Sequence, residues 1–582
     1  MDKKSYCIAW LMLLFVGSLH AQYRTTTYCN PLNLDYTYPF HNSHLGKSYR
    51  SGADPAVVEF RGEYYMFVTR SWGYWHSKDL LNWDFITPEK WYFEGCNAPA
   101  AHNYKDSVLY VCGNPSGAMS ILYTDNPKRG DWKAVPSVLH DLQDPALFID
   151  DDERAYMYWG SSNRWPIRGK ELDMKNKFLP IAKKPDSLLF LRPDIHGWER
   201  FGENHTSDIK PFIEGAWMTK HNGKYYLQYA APGTQFNVYG DGVYVGKSPL
   251  GPFEYAAHNP FCYKPGGFAT GAGHGSTVCG PGGIYWHFGT IHLSINYKFE
   301  RRLCMFPTFF DEDGAMYSDT YFGDYPHYSP DQVSRQTTSG GFRGWMLLSY
   351  GKPVKASSQL ESYPVENVTD ENLKTFWVAE KNDDKQWVEI DLEEVSDVYA
   401  LQLNFFDYEE TGFWGRMPNL RQRYLVEASV DGARWRVLVD YRNSFRDAPH
   451  NYIELDQPIE ARYIRYRHHY VPGKNLAMGD IRVFGLGRGK KTATVKGFTV
   501  VREADERNAR ISWKAVKGAQ GYNVLWGVAL DKLYSSWMVY GDNSLDLRAS
   551  RWDKNIILPS NRLMKMVFRN VSFFERLTDY VN

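Results

Sequence analysis

Five polar residues fall at matching places in the first half of the chain. Asp54, Asn97, Asp144, Glu214 and His274 each stand 11 to 13 positions ahead of an aromatic cluster, centred on Tyr65, Tyr110, Tyr156, Tyr226 and Trp286, and each sits beside Gly, Pro or Ala. Taken singly, Asp-Pro opens turns and Glu-Gly caps strands. Held in common phase they become one set of three carboxylates, an imidazole and an amide. Crowded carboxylates cannot all stay charged cheaply, so their pKa values spread, and one keeps its proton while another loses it. The chemistry on offer is general acid and base catalysis at one centre.

The elements that must position these residues are short aromatic strands. Cores recur at Tyr64-Tyr65-Met66-Phe67, Leu109-Tyr110-Val111, Tyr156-Met157-Tyr158, Tyr225-Tyr226-Leu227 and Tyr285-Trp286-His287-Phe288. The step from Tyr65 to Tyr110 to Tyr156 is close to the roughly 40 to 45 residues of a four-stranded propeller blade, and the later units are longer, which implies inserted loops. The innermost strand of every blade runs along the central channel. Equivalent strand starts from five blades therefore converge at one end of the axis, and the five polar residues meet there.

A chain of 582 residues is too long for one hydrophobic core, so two or three domains are expected. Lys+Arg and Asp+Glu are both 67, and this balance leaves no summed field to gather nucleic acid or an anionic membrane. With 43% hydrophobic and 23% charged residues, long disordered regions are excluded, while 16% aromatic residues favour strands and stacking on sugar rings. Residues 1–21 have the basic start, apolar Ile8 to Val16 run and small-residue exit of a signal peptide, so the mature chain is expected to be secreted or periplasmic. No other stretch has the length of a membrane span. Six cysteines follow Ala21, all by Cys304; disulfides are permitted but not demanded, and no close Cys pair suggests zinc.

The motifs Ser51-Gly52-Ala53-Asp54-Pro55, Gln143-Asp144-Pro145-Ala146, Ile213-Glu214-Gly215-Ala216-Trp217 and Gly271-Ala272-Gly273-His274-Gly275-Ser276 resemble those of glycoside hydrolase family 43, a five-bladed propeller family. The resemblance covers about residues 25 to 330. It implies an inverting glycosidase of arabinose- or xylose-containing plant cell-wall oligosaccharides and polysaccharides. Asp54 would be the general base, Glu214 the general acid, and Asp144 the residue that raises the pKa of Glu214 and orients it. His274 would sit on the axis near a structural calcium, with no cofactor needed for the chemistry, and Arg302 would contact the sugar in the first subsite. The two working carboxyls would stand about 6.5 to 9.5 Å apart, leaving room for the attacking water.

Sugar choice rests with the loops. Trp72, Trp75, Trp91, Trp165 and Phe236 are candidates for stacking on a ring, and Asn97 for contacting one. The insertion from Gly160 to Pro211, with Trp165, Arg168, Arg192, Trp198 and Arg200, would rim the pocket and favour exo cleavage. An α-L-arabinofuranosidase is the first expectation, a β-xylosidase the second and a galactan-directed enzyme the third. A catalytically silent carbohydrate-binding protein is the other class of function, and retention of Asp54 and Glu214 speaks against it.

Beyond the expected propeller (22–335) the pattern changes. Ala356-Ser357-Ser358, Thr375-Phe376-Trp377, Gln386 to Leu392, Ala461 to Tyr466 and Asp480 to Gly485 resemble the discoidin or coagulation-factor C-type sandwich, here 345–487. On a glycosidase this resembles a family 32 carbohydrate-binding module, with Phe405 to Trp414 as its ligand loop, or else a brace for the propeller. Residues 492–549 resemble the first half of a fibronectin type III sandwich. The tail, 550–582, lacks strand alternation, which a shifted reading frame from Ser550 would explain, and removing everything beyond about Gly487 is expected to spare hydrolysis.

Overall fold

The structure is a computed structural model, and it describes residues 26–39, 46–89, 96–114, 118–140, 142–333, 341–488, 493–529, 531–550 and 567–568. The expected signal peptide, Trp91 and nearly all of the tail lie outside them. Strands dominate throughout, with only short 3-10 turns between them.

Five antiparallel sheets make up the first unit. Sheet I runs Ala56–Phe60, Glu63–Phe67, Tyr74–Ser77, Trp83–Ile86 in spatial as well as chain order. Sheet II is Asn97–Tyr104, Val108–Asn114, Leu122–Thr124, Lys133–Ala134; sheet III is Ala146–Ile149, Ala155–Trp159, Ile167–Asp173, Leu179–Pro180, with Asp186–Leu189 added to its third strand. Sheets IV (Glu214–His221, Lys224–Ala231, Gly240–Gly246, Phe253–Tyr255) and V (Gly271–Cys279, Tyr285–His292, Arg301–Phe310, Met316–Ser318) repeat the pattern. Each aromatic core lies in the second strand of its sheet.

The first strands of successive sheets are neighbours, I beside II, II beside III, III beside IV and IV beside V. The first strand of V returns to that of I, so the five form a closed ring. Side chains lock the closure: the Asp54 amide donates to Thr290 Oγ1 (2.9 Å) and the Val57 amide to Ser276 Oγ (2.8 Å). Thr27–Tyr28 pairs with His327–Tyr328, tying the start of the unit to its end.

The second unit wraps one sheet around a single apolar core. Its two long strands, Trp387–Phe405 and His450–Tyr470, are interrupted by register shifts near Asp391 and Val398, which let one ladder curve around both faces of the core. The third unit pairs Thr499–Arg502, Ala509–Ser512 and Ser544–Leu547 in one sheet, and Ser535–Tyr540, Gly521–Trp526 and Val567–Phe568 in another. Its core is continuous with that of sheets III and IV, joining Trp513, Tyr522 and Trp537 to Trp198, Tyr229 and Tyr263.

That continuity corrects the reading of Trp198 and Arg200, in the Gly160 to Pro211 insertion, as part of a pocket rim. Trp198 is fully buried, with its indole N–H on the Tyr255 hydroxyl (2.9 Å), and Arg200 bonds Asn508 and the Arg548 carbonyl of the third unit. This part of the insertion docks the third unit. None of the six described cysteines is in a disulfide.

Candidate active site

Each innermost strand is entered through a residue in the left-handed region: Asp54 (φ 56°), Ala98 (φ 45°), Asp144 (φ 49°), Gly215 (φ 62°) and His274 (φ 47°). A side chain in that region costs roughly 1 kcal/mol or more, and such strain concentrates at functional sites. In sheets II and IV the polar residue stands one position ahead of the left-handed one, Asn97 before Ala98 and Glu214 before Gly215, at matching register shifts. Asn97 accepts from Arg70 Nε at 2.9 Å. An X-Pro step follows Asp54, Ala98 and Asp144.

The structure brings Asp54, Asp144, Glu214 and His274 together. His274 Nδ1 lies 3.4 Å from Asp54 Oδ1 and 3.7 Å from Asp144 Oδ2. Asp144 also takes a hydrogen bond from the Gly215 backbone, which links sheet III to the strand carrying Glu214. Glu214 is held from both sides: the Tyr239 hydroxyl donates to Oε1 at 2.6 Å and the Ser161 hydroxyl to Oε2 at 3.0 Å. Burial keeps the Tyr239 phenol protonated far beyond its ordinary range, so it is a permanent donor.

The electrostatics differ sharply among the carboxyls. Burial alone would raise Asp54, but the Arg301 guanidinium, His274 and the Thr69 hydroxyl outweigh it and hold Asp54 below the usual carboxylate range. The contacts are Arg301 Nη1 at 3.3 Å and Thr69 Oγ1 at 2.5 Å. Asp144 is pushed up to about 7, first by burial and then by the charges of Glu214 and Asp54, with His274 opposing. His274 is raised because Asp54 and Asp144, then Glu214, overcome the effect of its burial. The cluster thus contains an ionised carboxylate beside one that keeps its proton to near neutrality.

Arg302 is not part of this cluster. Residues 301 and 302 open a strand, so their side chains leave on opposite faces. Arg301 points to Asp54, whereas Arg302 is buried against the second unit and donates to His450 Nε2 (2.8 Å) and the Arg50 carbonyl (2.7 Å). Trp75 is likewise a core ring, 1% exposed, donating to Asp35. Trp72 meets Trp414 of the second unit edge to face at 5.1 Å, and Phe236 packs on Phe201. Trp165 is exposed between the guanidinium groups of Arg164 and Arg168.

The calcium expected beside His274 finds no cage. Calcium takes six to eight oxygen ligands, whereas the imidazole is paired with two carboxylates, and among the described residues no group of three or more His, Cys, Asp or Glu could share a metal ion. Sequence reasoning also missed Thr69, Ser161, Tyr239 and Asp241. Asp241 accepts the His274 and Gly275 amides at 2.7 and 3.0 Å, fixing the left-handed turn. These residues sit outside the repeated phase and carry no local signal; only Arg301 could have been found, by strand alternation.

Residues 49–316 match the family model described as glycosyl hydrolases family 43, and residues 353–478 match the F5/8 type C domain. Among individual proteins, the chain is similar to a beta-xylosidase of Xylanibacter ruminicola, 33% identical over 31% of this chain and 57% of that protein. It is also similar to an arabinoxylan arabinofuranohydrolase of Bacillus subtilis (strain 168), 25% identical over 46% of this chain and 60% of the relative. The match thus spans less than two thirds of either relative's length. A solved thermostable family-43 glycoside hydrolase superposes with a TM-score of 0.42 at 20% identity, over 53% of this chain and all of the other.

Proposed function

We propose that this chain is an inverting glycosidase of plant cell-wall polysaccharides that removes terminal pentose residues, with α-L-arabinofuranoside as its substrate and the closed ring acting as a five-bladed propeller. The observation that carries this reading is the pairing of an Asp54 held ionised by Arg301, His274 and Thr69 with a Glu214 held between two hydroxyl donors. Asp54 takes a proton from the attacking water, and Glu214 gives one to the leaving glycosidic oxygen. The sugar carbon is attacked on the face opposite the leaving group, so its configuration inverts. Asp144, protonated to about pH 7, means that the cluster enters the reaction carrying the proton the leaving group needs.

The second reading is a β-xylosidase, favoured by the name of the relative at 33% identity. We assign the second unit as a carbohydrate-binding module, the third as fibronectin type III-like, and the protein to the cell exterior or periplasm. A panel of aryl arabinofuranoside, xyloside and galactoside substrates tests the proposal. One of the first two should be hydrolysed, and Asp54→Asn and Glu214→Gln should each retain less than a hundredth of the rate with unchanged melting. More than a tenth of the rate in either variant removes that residue from the chemistry.

A further inference from the structure

A cleft of about 320 Å³ separates the ring of sheets from the second unit, outside the carboxylate cluster. One wall is aromatic. Tyr363 and Phe376 stack at 4.9 Å and 22°, Phe376 and Phe406 at 5.2 Å and 19°, and Tyr408 meets Tyr363 edge-on at 5.1 Å. All four rings are only half-buried. A ring that serves only to join the units would be closed over, as Tyr38 is at the same junction, with 0% exposure.

The polar groups around this wall nearly cancel. Lys47, Arg50, Arg302 and Lys374 face Glu300, Asp407 and Glu409. Most are already committed: Lys47 bonds Glu409 at 2.6 Å, Arg50 bonds Asp407 at 3.0 Å and Arg302 bonds His450 at 2.8 Å. A carboxylate- or phosphate-bearing ligand would need a surplus of cations, and paired groups do not supply it. What the cleft offers is a flat apolar wall with fixed donors and acceptors at its edge, in a volume at the low end for small-molecule sites.

We propose that this interdomain cleft is a second carbohydrate site for a neutral oligosaccharide, whose C–H face stacks on the rings while its hydroxyls reach the charged rim. The proposal rests on the glycosidase reading for its choice of sugar. The cleft shares a wall with the catalytic cluster. Tyr49 and Arg50 precede Ser51, whose oxygen accepts the Arg301 amide, and Glu300 precedes Arg301, which reaches Asp54. A polysaccharide held in the cleft therefore lies against the flank of the active site, and the site exists only while the two units are docked.

Isothermal titration of the full chain carrying Glu214→Gln, with neutral arabino- and xylo-oligosaccharides, tests this without turnover. Two sites per chain are expected, falling to one when Tyr408→Ala or Tyr363→Ala is added, with binding restored by Tyr408→Phe. In the otherwise unaltered chain the same alanine changes should leave aryl glycoside turnover within twofold and lower turnover of polymer at least fivefold. A single site insensitive to both changes, no binding at all, or preference for uronate-bearing chains over neutral ones overturns the proposal. Absence of aryl glycoside hydrolysis in the unaltered chain would instead remove the catalytic reading, while the titration would still report on the cleft.

Discussion

Asp144 keeps its proton to about pH 7 because it is buried among like charges, while Asp54 stays ionised below the usual range. Activity that needs both forms falls as pH rises through about 7, when the cluster loses its proton, and falls at the acid end as Asp54 gains one. In Asp144→Asn the group that loses its proton near pH 7 is gone, so the alkaline limb should leave that position; an unmoved limb in the pH profile of kcat/KM excludes Asp144 from the mechanism. The same substitution has a stability consequence. The folded state holds the Asp144 proton across a range, from about 4 to about 7, in which the unfolded state has released it, so Asp144 lowers stability as pH rises through that window. Asp144→Asn should melt higher than the unaltered chain at pH 8, with the advantage gone at pH 4. Arg301→Met should raise the acid limb, since Asp54 loses a cation at 3.3 Å, while Arg302→Met should leave it in place and cost stability instead. The identities of Asp54, Asp144, Glu214 and His274 were readable from type and phase. Arg301 needed strand alternation as well, because which of two adjacent arginines faces inward depends on one step of strand register.

The strand starts, as elements, explain both the success and the error of reading by phase. Aromatic cores mark second strands plainly, because rings pack on a pleated, half-buried surface. Counting back from them reaches the turn but not one fixed position within it, since register shifts between Asn97 and Ala100 and between Glu214 and Trp217 place the polar residue one position ahead of the left-handed one in sheets II and IV. Gly215 shows how tight these turns are. A Cβ there would lie 2.8 Å from His274 Cγ, at a φ of 62° that already disfavours side chains. Gly215→Ala should therefore cost on the order of 1 to 3 kcal/mol, read as a lowered melting temperature. It should also cut hydrolysis at least tenfold by displacing His274; a variant with unchanged melting and rate would show that the turn is looser than described.

The whole molecule is held together by buried contacts among all three units, which the sequence could not reveal because they join residues far apart in the chain. Arg482 of the second unit bonds Glu371 at 2.7 Å and the Asp324 carbonyl of the first at 2.6 Å, and the Tyr540 hydroxyl of the third donates to Glu371 at 3.2 Å. Lys264, fully buried, pairs with Asp324 at 3.1 Å. Removing one side of such a network leaves uncompensated buried charge, typically a loss of several kcal/mol. Truncation after residue 488 would also uncover Tyr263, which packs on Trp526 and Trp537. In contrast to the expectation from domain boundaries alone, that truncated chain should melt at least 5 °C lower, by calorimetry, and lose activity with it. Equal melting would mean that the third unit is an appendage.

The central claim is that Asp54 and Glu214 act from opposite faces of one sugar, as base and acid in a single displacement. Proton NMR of the first sugar released, recorded before mutarotation, tests it most directly. The account predicts that this sugar appears with inverted anomeric configuration, its anomeric signal then decaying toward the equilibrium mixture. A first-formed product of retained configuration would mean that one carboxylate attacks the sugar itself, and the assignment of Asp54 as a base acting on water would be contradicted.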